Sequence, residues 1–267
     1  MPASPKPSPS GPSRRGPLRS GAALAALLLV APPQDAPAPK DPAPTTPWHA
    51  EPVLEKSVVK NVAVYNHADA TLETATVAAL AQQQYEFLEK YTGGAPRWVL
   101  LHVGNKYESG FSMQAGPDPE MFLQAPGIFD TSANYAHEMM HCFMFELGAL
   151  PHWFNESLSD MAYFDSELEL WKRRKEAWLD GFDRADYRSY ELLQLRRKYG
   201  RDYFRKVCAE LRKRKDECRR VFTEATKLDE KNELILTVLS TAAGEDVRPN
   251  FKEWGFNPRT RERQRGY

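Results

Sequence analysis

From about residue 57 the chain alternates between short β-branched runs and longer apolar stripes of helical period. Residues 57–65 (SVVKNVAVY) are dense in valine and predict a strand. Residues 71–91 place Val77, Leu80, Ala81, Tyr85 and Leu88 at helical spacing, on one face of a helix that Gly93-Gly94 ends. Residues 97–103 (RWVLLHV) predict a second strand. Glycine, proline, serine and aspartate then dominate 104–130, with apolar pieces at 121–123 and 127–129, and predict loop with one or two short strands. A helix is predicted over 132–147, with Thr131 or Ser132 as its cap and Gly148 as its stop. A second follows Pro151 over 155–170, where Asn155 is placed to cap it. Most of the remainder reads as helix, in pieces at 172–180, 187–199, 201–215, 217–228 and 231–243, and Gly244 breaks the last. Residues 250–258 (NFKEWGFNP) form an aromatic cluster, and the basic tail at 259–267 reads as frayed. The expected class is α+β: a small N-terminal part of mixed strand and helix, two central helices, and a mostly helical C-terminal lobe.

The pattern is different at the N-terminus. Residues 1–20 carry Lys6, Arg14, Arg15 and Arg19 and no acid, 21–30 are apolar, and 31–47 are rich in proline and alanine. A basic segment, a short apolar segment and small residues make an export signal. The apolar run is about half the ~20 residues that a spanning helix needs. The expected organisation is a signal peptide at 1–30, a linker at 31–47, a folded domain at 48–258 and a basic tail at 259–267. The mature chain is then exported to a periplasmic or extracellular location, with no stable insertion in a membrane.

Composition removes several classes of function. The chain has 267 residues, 42% of them hydrophobic, enough for one sizeable core. Its formal net charge is zero, so nucleic acid and anionic membranes are not expected partners. The three cysteines, Cys142, Cys208 and Cys218, are too few for a disulfide scaffold and wrongly spaced for a cysteine-rich metal site. Cys208 and Cys218 can pair only if the chain turns between them, because on one unbroken helix they stand about 15 Å apart.

Candidate chemistry lies on the two central helices. His137-Glu138-Met139-Met140-His141 is an H-E-x-x-H motif. Residues four apart share a helix face, so both imidazoles can reach one zinc ion. Glu138 stands beside that face, where its carboxylate can act as general base toward water. A catalytic zinc takes three protein ligands and keeps one position open. In the extended pattern H-E-x-x-H-x-x-G-x-x-H the glycine and the third histidine would fall on positions that hold Met144 and Leu147, and His152 comes too soon after the helix. Asn155-Glu156-Ser157-Leu158-Ser159-Asp160 offers a carboxylate instead. Glu156 and Asp160 share a face, so Glu156 can complete the ligand set while Asp160 accepts a hydrogen bond from the far nitrogen of a ligand histidine. Cys142 points about 100° away from His141 on the helix and is read as a buried small residue.

Together, the H-E-x-x-H run and the Trp153-Phe154-Asn155-Glu156…Asp160 run resemble the gluzincin metallopeptidases, in their thermolysin-like and aminopeptidase-like branch. The resemblance covers about 25 residues. It implies one zinc per chain held by His137, His141 and Glu156, with Glu138 as base, Asp160 behind a ligand and a peptide or protein as substrate. It also implies a tyrosine or histidine donor for the tetrahedral oxyanion, for which Tyr187, Tyr190 and Tyr203 are candidates. The stretch 239–256 is similar to the end of the catalytic domain of M60-like peptidases. The chain departs from the pattern in two places. Ser157 stands where glycine is usual, and no G-A-M-E-N exopeptidase segment precedes the zinc helix. A metal-dependent hydrolase of another bond, or an inactive zinc-bearing binding module on the same fold, are the competing readings.

Overall fold

A computed structural model of the chain describes residues 52–67, 73–104, 110–114, 116–124, 133–166 and 187–263. The expected signal and linker, the helix cap at 131–132, the apolar piece at 127–129 and the helix at 172–180 lie outside the described residues.

The run 57–65 is two strands, not one. β1 (Glu55–Val59) and β2 (Val62–Asn66) form a hairpin in which Val59 pairs with Val62. Lys60 takes the left-handed region at φ 48°, and Asn61 is tied down at both ends. Its N–H donates to Gln82 Oε1 at 3.1 Å, and its side chain donates to Arg97 O at 3.0 Å. A two-residue turn needs positive φ, which usually announces itself as glycine. With Lys-Asn in that place, the valines on either side read as one strand.

α1 (Thr74–Thr92) crosses over from β2 to β3 (Val99–Gly104), which run parallel. Parallel neighbours need such a crossover. Gly93, at φ 73°, ends α1 by donating to Glu89 O at 3.0 Å. Two further strands come from the segment rich in turn residues, β4 (Phe111–Met113) and β5 (Glu120–Gln124). The sheet has five strands in the order β1-β2-β3-β5-β4, with β3 and β5 parallel and β4 antiparallel to β5. One face carries Val62, Val64, Leu101, Val103, Met121 and Leu123 into the main core with α1 and α2. On the other face, four rings on one register row stack across the strands. The centroids of Tyr65 and His102 are 5.1 Å apart, those of His102 and Phe122 4.7 Å, and those of Phe122 and Phe111 4.6 Å. This ladder fixes the short edge strand β4 in the sheet.

α2 (Ala133–Met144) continues into a 3-10 turn (Phe145–Leu147), and Gly148 closes it at φ 100°. A Cβ on Gly148 would stand 2.5 Å from Phe222 O, so only glycine fits there. α3 (His152–Asp165) packs against α2. It begins three residues earlier than the sequence suggested, with Pro151 at the cap position, so Asn155 lies inside the helix and is not its cap. The C-terminal part consists of α4 (Tyr190–Tyr199), α5 (Tyr203–Lys213), α6 (Lys215–Val221), α7 (Leu228–Ala243), α8 (Arg248–Glu253) and α9 (Pro258–Arg263). The chain does break at Arg214, yet Cys208 and Cys218 remain separate buried thiols, as does Cys142. Residues 258–263 are helical although the sequence from 259 reads as a frayed tail, and Arg261 is buried there. The architecture is α+β, a mixed sheet followed by a mostly helical remainder. Among the described residues no helix is long and apolar enough to cross a membrane.

Candidate metal centre

α2 presents His137 and His141 one turn apart on a common face, with ring centroids 4.9 Å apart. α3 brings Glu156 up to them. His137 Nε2 and His141 Nε2 are 3.2 Å apart, His137 Nε2 is 3.3 Å from Glu156 Oε2, and His141 Nε2 is 3.4 Å from Glu156 Oε1. Among the described residues these three side chains are the group that can offer ligand atoms to one ion. The spacing provides a test of fit. A tetrahedral zinc with bonds of ~2.0–2.1 Å has ligand atoms ~3.3 Å apart. The two nitrogens stand near that edge length, and Glu156 offers a different oxygen to each of them at a similar distance.

The far nitrogens of both imidazoles are tied back to α3. His137 Nδ1 meets Asp160 Oδ1 at 2.9 Å, and His141 Nδ1 meets Ser159 Oγ at 3.2 Å. Such partners fix the tautomer and turn Nε2 toward the metal position. Asp160 is itself gripped from the segment before α4. Ser189 Oγ donates to Oδ2 at 2.5 Å, Arg188 donates through Nε and Nη2 at 3.3 Å each, and the Tyr187 hydroxyl stands 3.4 Å away. Arg188 also reaches Glu156, with Nη1 2.8 Å from Oε2.

Electrostatics follow from this crowding. Burial alone would lower His137, but its hydrogen bonds to Asp160 and Glu156 outweigh burial and raise it to about 10. Burial and the charge on His137 push His141 down. Burial opposes ionisation of Glu156 and Asp160, yet His137 and Arg188 hold both carboxyls below the usual carboxylate range. Without metal, the two imidazoles therefore share about one proton, which metal coordination has to displace.

Glu138 is 7% exposed and lies beneath the edge strand β4. The Ser112 hydroxyl is 2.7 Å from Glu138 O and 3.0 Å from Glu138 Oε2. Gly110 lies against the same side chain. A Cβ there would stand 2.9 Å from Glu138 Cγ and 3.1 Å from Oε1. One carboxylate oxygen is thus held by the strand, and the other lies beside Gly110, a residue with no side chain.

Of the residues marked in the sequence, His137, His141, Glu156, Asp160 and Glu138 come together. His152 is one turn before Glu156, with Nδ1 3.8 Å from Oε1, on the rim of the group. Of the three tyrosines, only Tyr187 joins the site. Tyr190 packs edge-on against Trp254, and the Tyr203 hydroxyl donates to Leu239 O at 2.9 Å inside the core. Cys142 is in the core and not at the metal position. Sequence reading missed Ser112, Gly110, Ser159, Arg188 and Ser189. Ser159 alone left a signal, because it stands directly before Asp160 on the helix read as the ligand helix. Neither a protein-family model nor a curated protein matches the chain.

Proposed function

We propose that the protein is an exported zinc metallopeptidase of the gluzincin kind, holding one zinc ion through His137, His141 and Glu156. The observation that carries this reading is the convergence of His137 Nε2, His141 Nε2 and the Glu156 carboxylate, with separations of 3.2 to 3.4 Å, each imidazole being anchored at its other nitrogen. Bound zinc supplies a Lewis acid that polarises a carbonyl and makes water acidic near neutral pH. Glu138 accepts the proton of the attacking water and passes it to the leaving amine. Ser112 holds Glu138 Oε2, so that Oε1 keeps a fixed direction toward the water. Asp160 keeps the proton of His137 on Nδ1 and its Nε2 bare. Tyr187 is the candidate tyrosine nearest the site, but its hydroxyl is turned to Asp160 on the Nδ1 side of His137, so it supports Asp160 and is not assigned to the oxyanion.

The test is cleavage of an unfolded protein such as casein by the mature chain, with and without chelator, alongside zinc content by mass spectrometry. About one zinc per chain and chelator-sensitive cleavage are expected. Zinc without cleavage transfers the site to a binding module, and absence of zinc ends the reading.

A further inference from the structure

α3 carries Glu156, Ser159 and Asp160, but it does not cap its own start. Pro151 at the cap position makes no side-chain hydrogen bond. The first N–H groups of a helix have no partner within it. Here they are taken by Glu262 on α9, more than a hundred residues downstream. Its Oε1 accepts from His152 N–H at 2.9 Å and its Oε2 from Trp153 N–H at 3.2 Å. The neighbouring residue reaches a second element. Arg261 is 7% exposed and donates through Nε at 3.1 Å and Nη2 at 2.7 Å to Oε1 of Glu191, which is fully buried in the first turn of α4. Glu191 lies two residues after Ser189, and Arg188 and Ser189 are the residues that hold Asp160 and Glu156. Two consecutive side chains thus join the start of the ligand helix to the start of the helix behind it. Phe256, packed on the Trp153 ring at 4.8 Å, sets the approach. α9 itself adds no side chain to the hydrophobic core. Its contacts are polar and directional.

We propose that Arg261 and Glu262 are positioning residues of the metal centre. α9 is a clasp that sets the distance between α3 and the Arg188-Ser189 corner, and hence where Glu156 and Asp160 stand relative to the two histidines. The inference rests on the metal-centre reading for its consequence, but not for the clasp itself.

The experiment uses the mature chain with Glu262→Ala, Glu262→Gln and Val238→Ala. Val238, an apolar core residue of α7 that takes no part in the hydrogen bonds of the clasp or of the metal centre, serves as a control for simple destabilisation. Zinc affinity is read by chelator competition, ligand geometry by the visible spectrum of the cobalt-substituted protein, and helix position by amide exchange in the metal-free protein. Glu262→Ala should weaken zinc by roughly 10–100-fold, as loss of an outer support does, and change the cobalt spectrum. Glu262→Gln keeps an acceptor oxygen and should recover most of both. Val238→Ala should lower the melting temperature and leave both unchanged. Unchanged affinity and spectrum in Glu262→Ala overturn the proposal. If the parent binds neither zinc nor cobalt, the metallopeptidase reading falls, and the clasp is judged on exchange alone. Faster exchange at 152–160 in Glu262→Ala than in Val238→Ala supports it, and equal rates overturn it.

Discussion

Asp160 and Asp165 stand on the same helix, both buried, each bound by an arginine and by a tyrosine hydroxyl. Their carboxyls are nevertheless shifted in opposite directions. Asp165 takes Arg196 through Nε at 2.8 Å and Nη2 at 2.6 Å and the Tyr91 hydroxyl at 2.9 Å, yet burial dominates and its carboxyl is raised. Burial also opposes ionisation of Asp160, but the His137 imidazole and Arg188 outweigh it, and its carboxyl is lowered. The neighbours explain the difference. Asp165 ties α1, α3 and α4 together through Tyr91 and Arg196. Asp160 belongs to a group in which three carboxylates, with Glu138 and Glu156, stand around one guanidinium and two imidazoles. A buried aspartate with an arginine is therefore no mark of function. An excess of carboxylate over fixed cation, with imidazole nitrogens converging on one point, is such a mark, because a divalent cation is what balances it.

The largest effects should separate the two ends of α3. His137→Ala or Glu156→Ala should weaken zinc by at least about 10³-fold, since a three-ligand site loses one of its bonds. Asp165→Ala should leave zinc in place and cost about 1–3 kcal/mol of stability by leaving the buried Tyr91 hydroxyl and the partly buried Arg196 without their partner, which lowers the melting temperature by about 3–10 °C. Metal analysis and calorimetry read both. An Asp165→Ala protein that folds but loses its zinc would erase the distinction drawn between the ends. Glu138→Gln comes next. It removes the proton acceptor and keeps the shape, so cleavage should fall by at least about 10²-fold with zinc content unchanged. Parental turnover in that variant would remove Glu138 as the base.

A finer contrast comes from the aspartates themselves. Asp160→Asn should weaken zinc by roughly 10–100-fold, because the imidazole it orients loses its fixed tautomer. Asp165→Asn should leave zinc affinity unchanged. Equal effects on zinc from the two would contradict the separate roles. Ser112→Ala should lower kcat about ten-fold with little change in KM, the size of one hydrogen bond to a charged group. Ser112→Thr should recover part of it. A change in KM alone would put Ser112 on the substrate and not on Glu138.

These contrasts also mark what could be read from the sequence. His137 and His141 were legible because helical spacing fixes their common face, with Glu138 beside it, and Glu156 and Asp160 for the same reason one helix later. The choice of which histidine Asp160 serves was not legible, since it depends on how α3 packs on α2. Arg188 and Ser189 reach Asp160 from just before α4, where helical period marks a helix at 187–199 but not what its start touches, and Ser112 reaches Glu138 only because β4 joins the sheet at the edge beside α2. In the fold, the helices were located by their stripes and glycine stops. The hairpin at Lys60-Asn61 was hidden by the lack of a turn glycine, and the helix at 258–263 by its charge, because what it satisfies is backbone and a buried glutamate rather than an apolar core. Local periodicity reveals elements and same-face pairs, while contacts across the chain appear only on folding.

The smallest effect concerns protons, and it tests the charge argument at its source. In the metal-free protein His137 is raised to about 10 while His141 is lowered, so the pair carries about one proton at neutral pH. Coordination through Nε2 needs a neutral imidazole, so zinc uptake near pH 7.5 should release close to one proton, measured by titration calorimetry in buffers of different ionisation enthalpy. The sign for stability follows from the same shift. A folded value above the unfolded one of ~6.5 gives stability that is complete below that value and is lost as pH rises through the folded one. Metal-free protein should therefore lose melting temperature from about pH 7 to about pH 10. The zinc-loaded protein, whose His137 has already given up that proton, should decline less. Metal-free His137→Gln separates this from the lysines and tyrosines that titrate in the same range, and its melting temperature should fall less over that interval than the parent's. If zinc uptake releases no proton and the metal-free parent and His137→Gln decline alike, His137 does not offset the surplus carboxylate. The contrast between Asp160 and Asp165 would then rest on Arg188 and Ser189 alone.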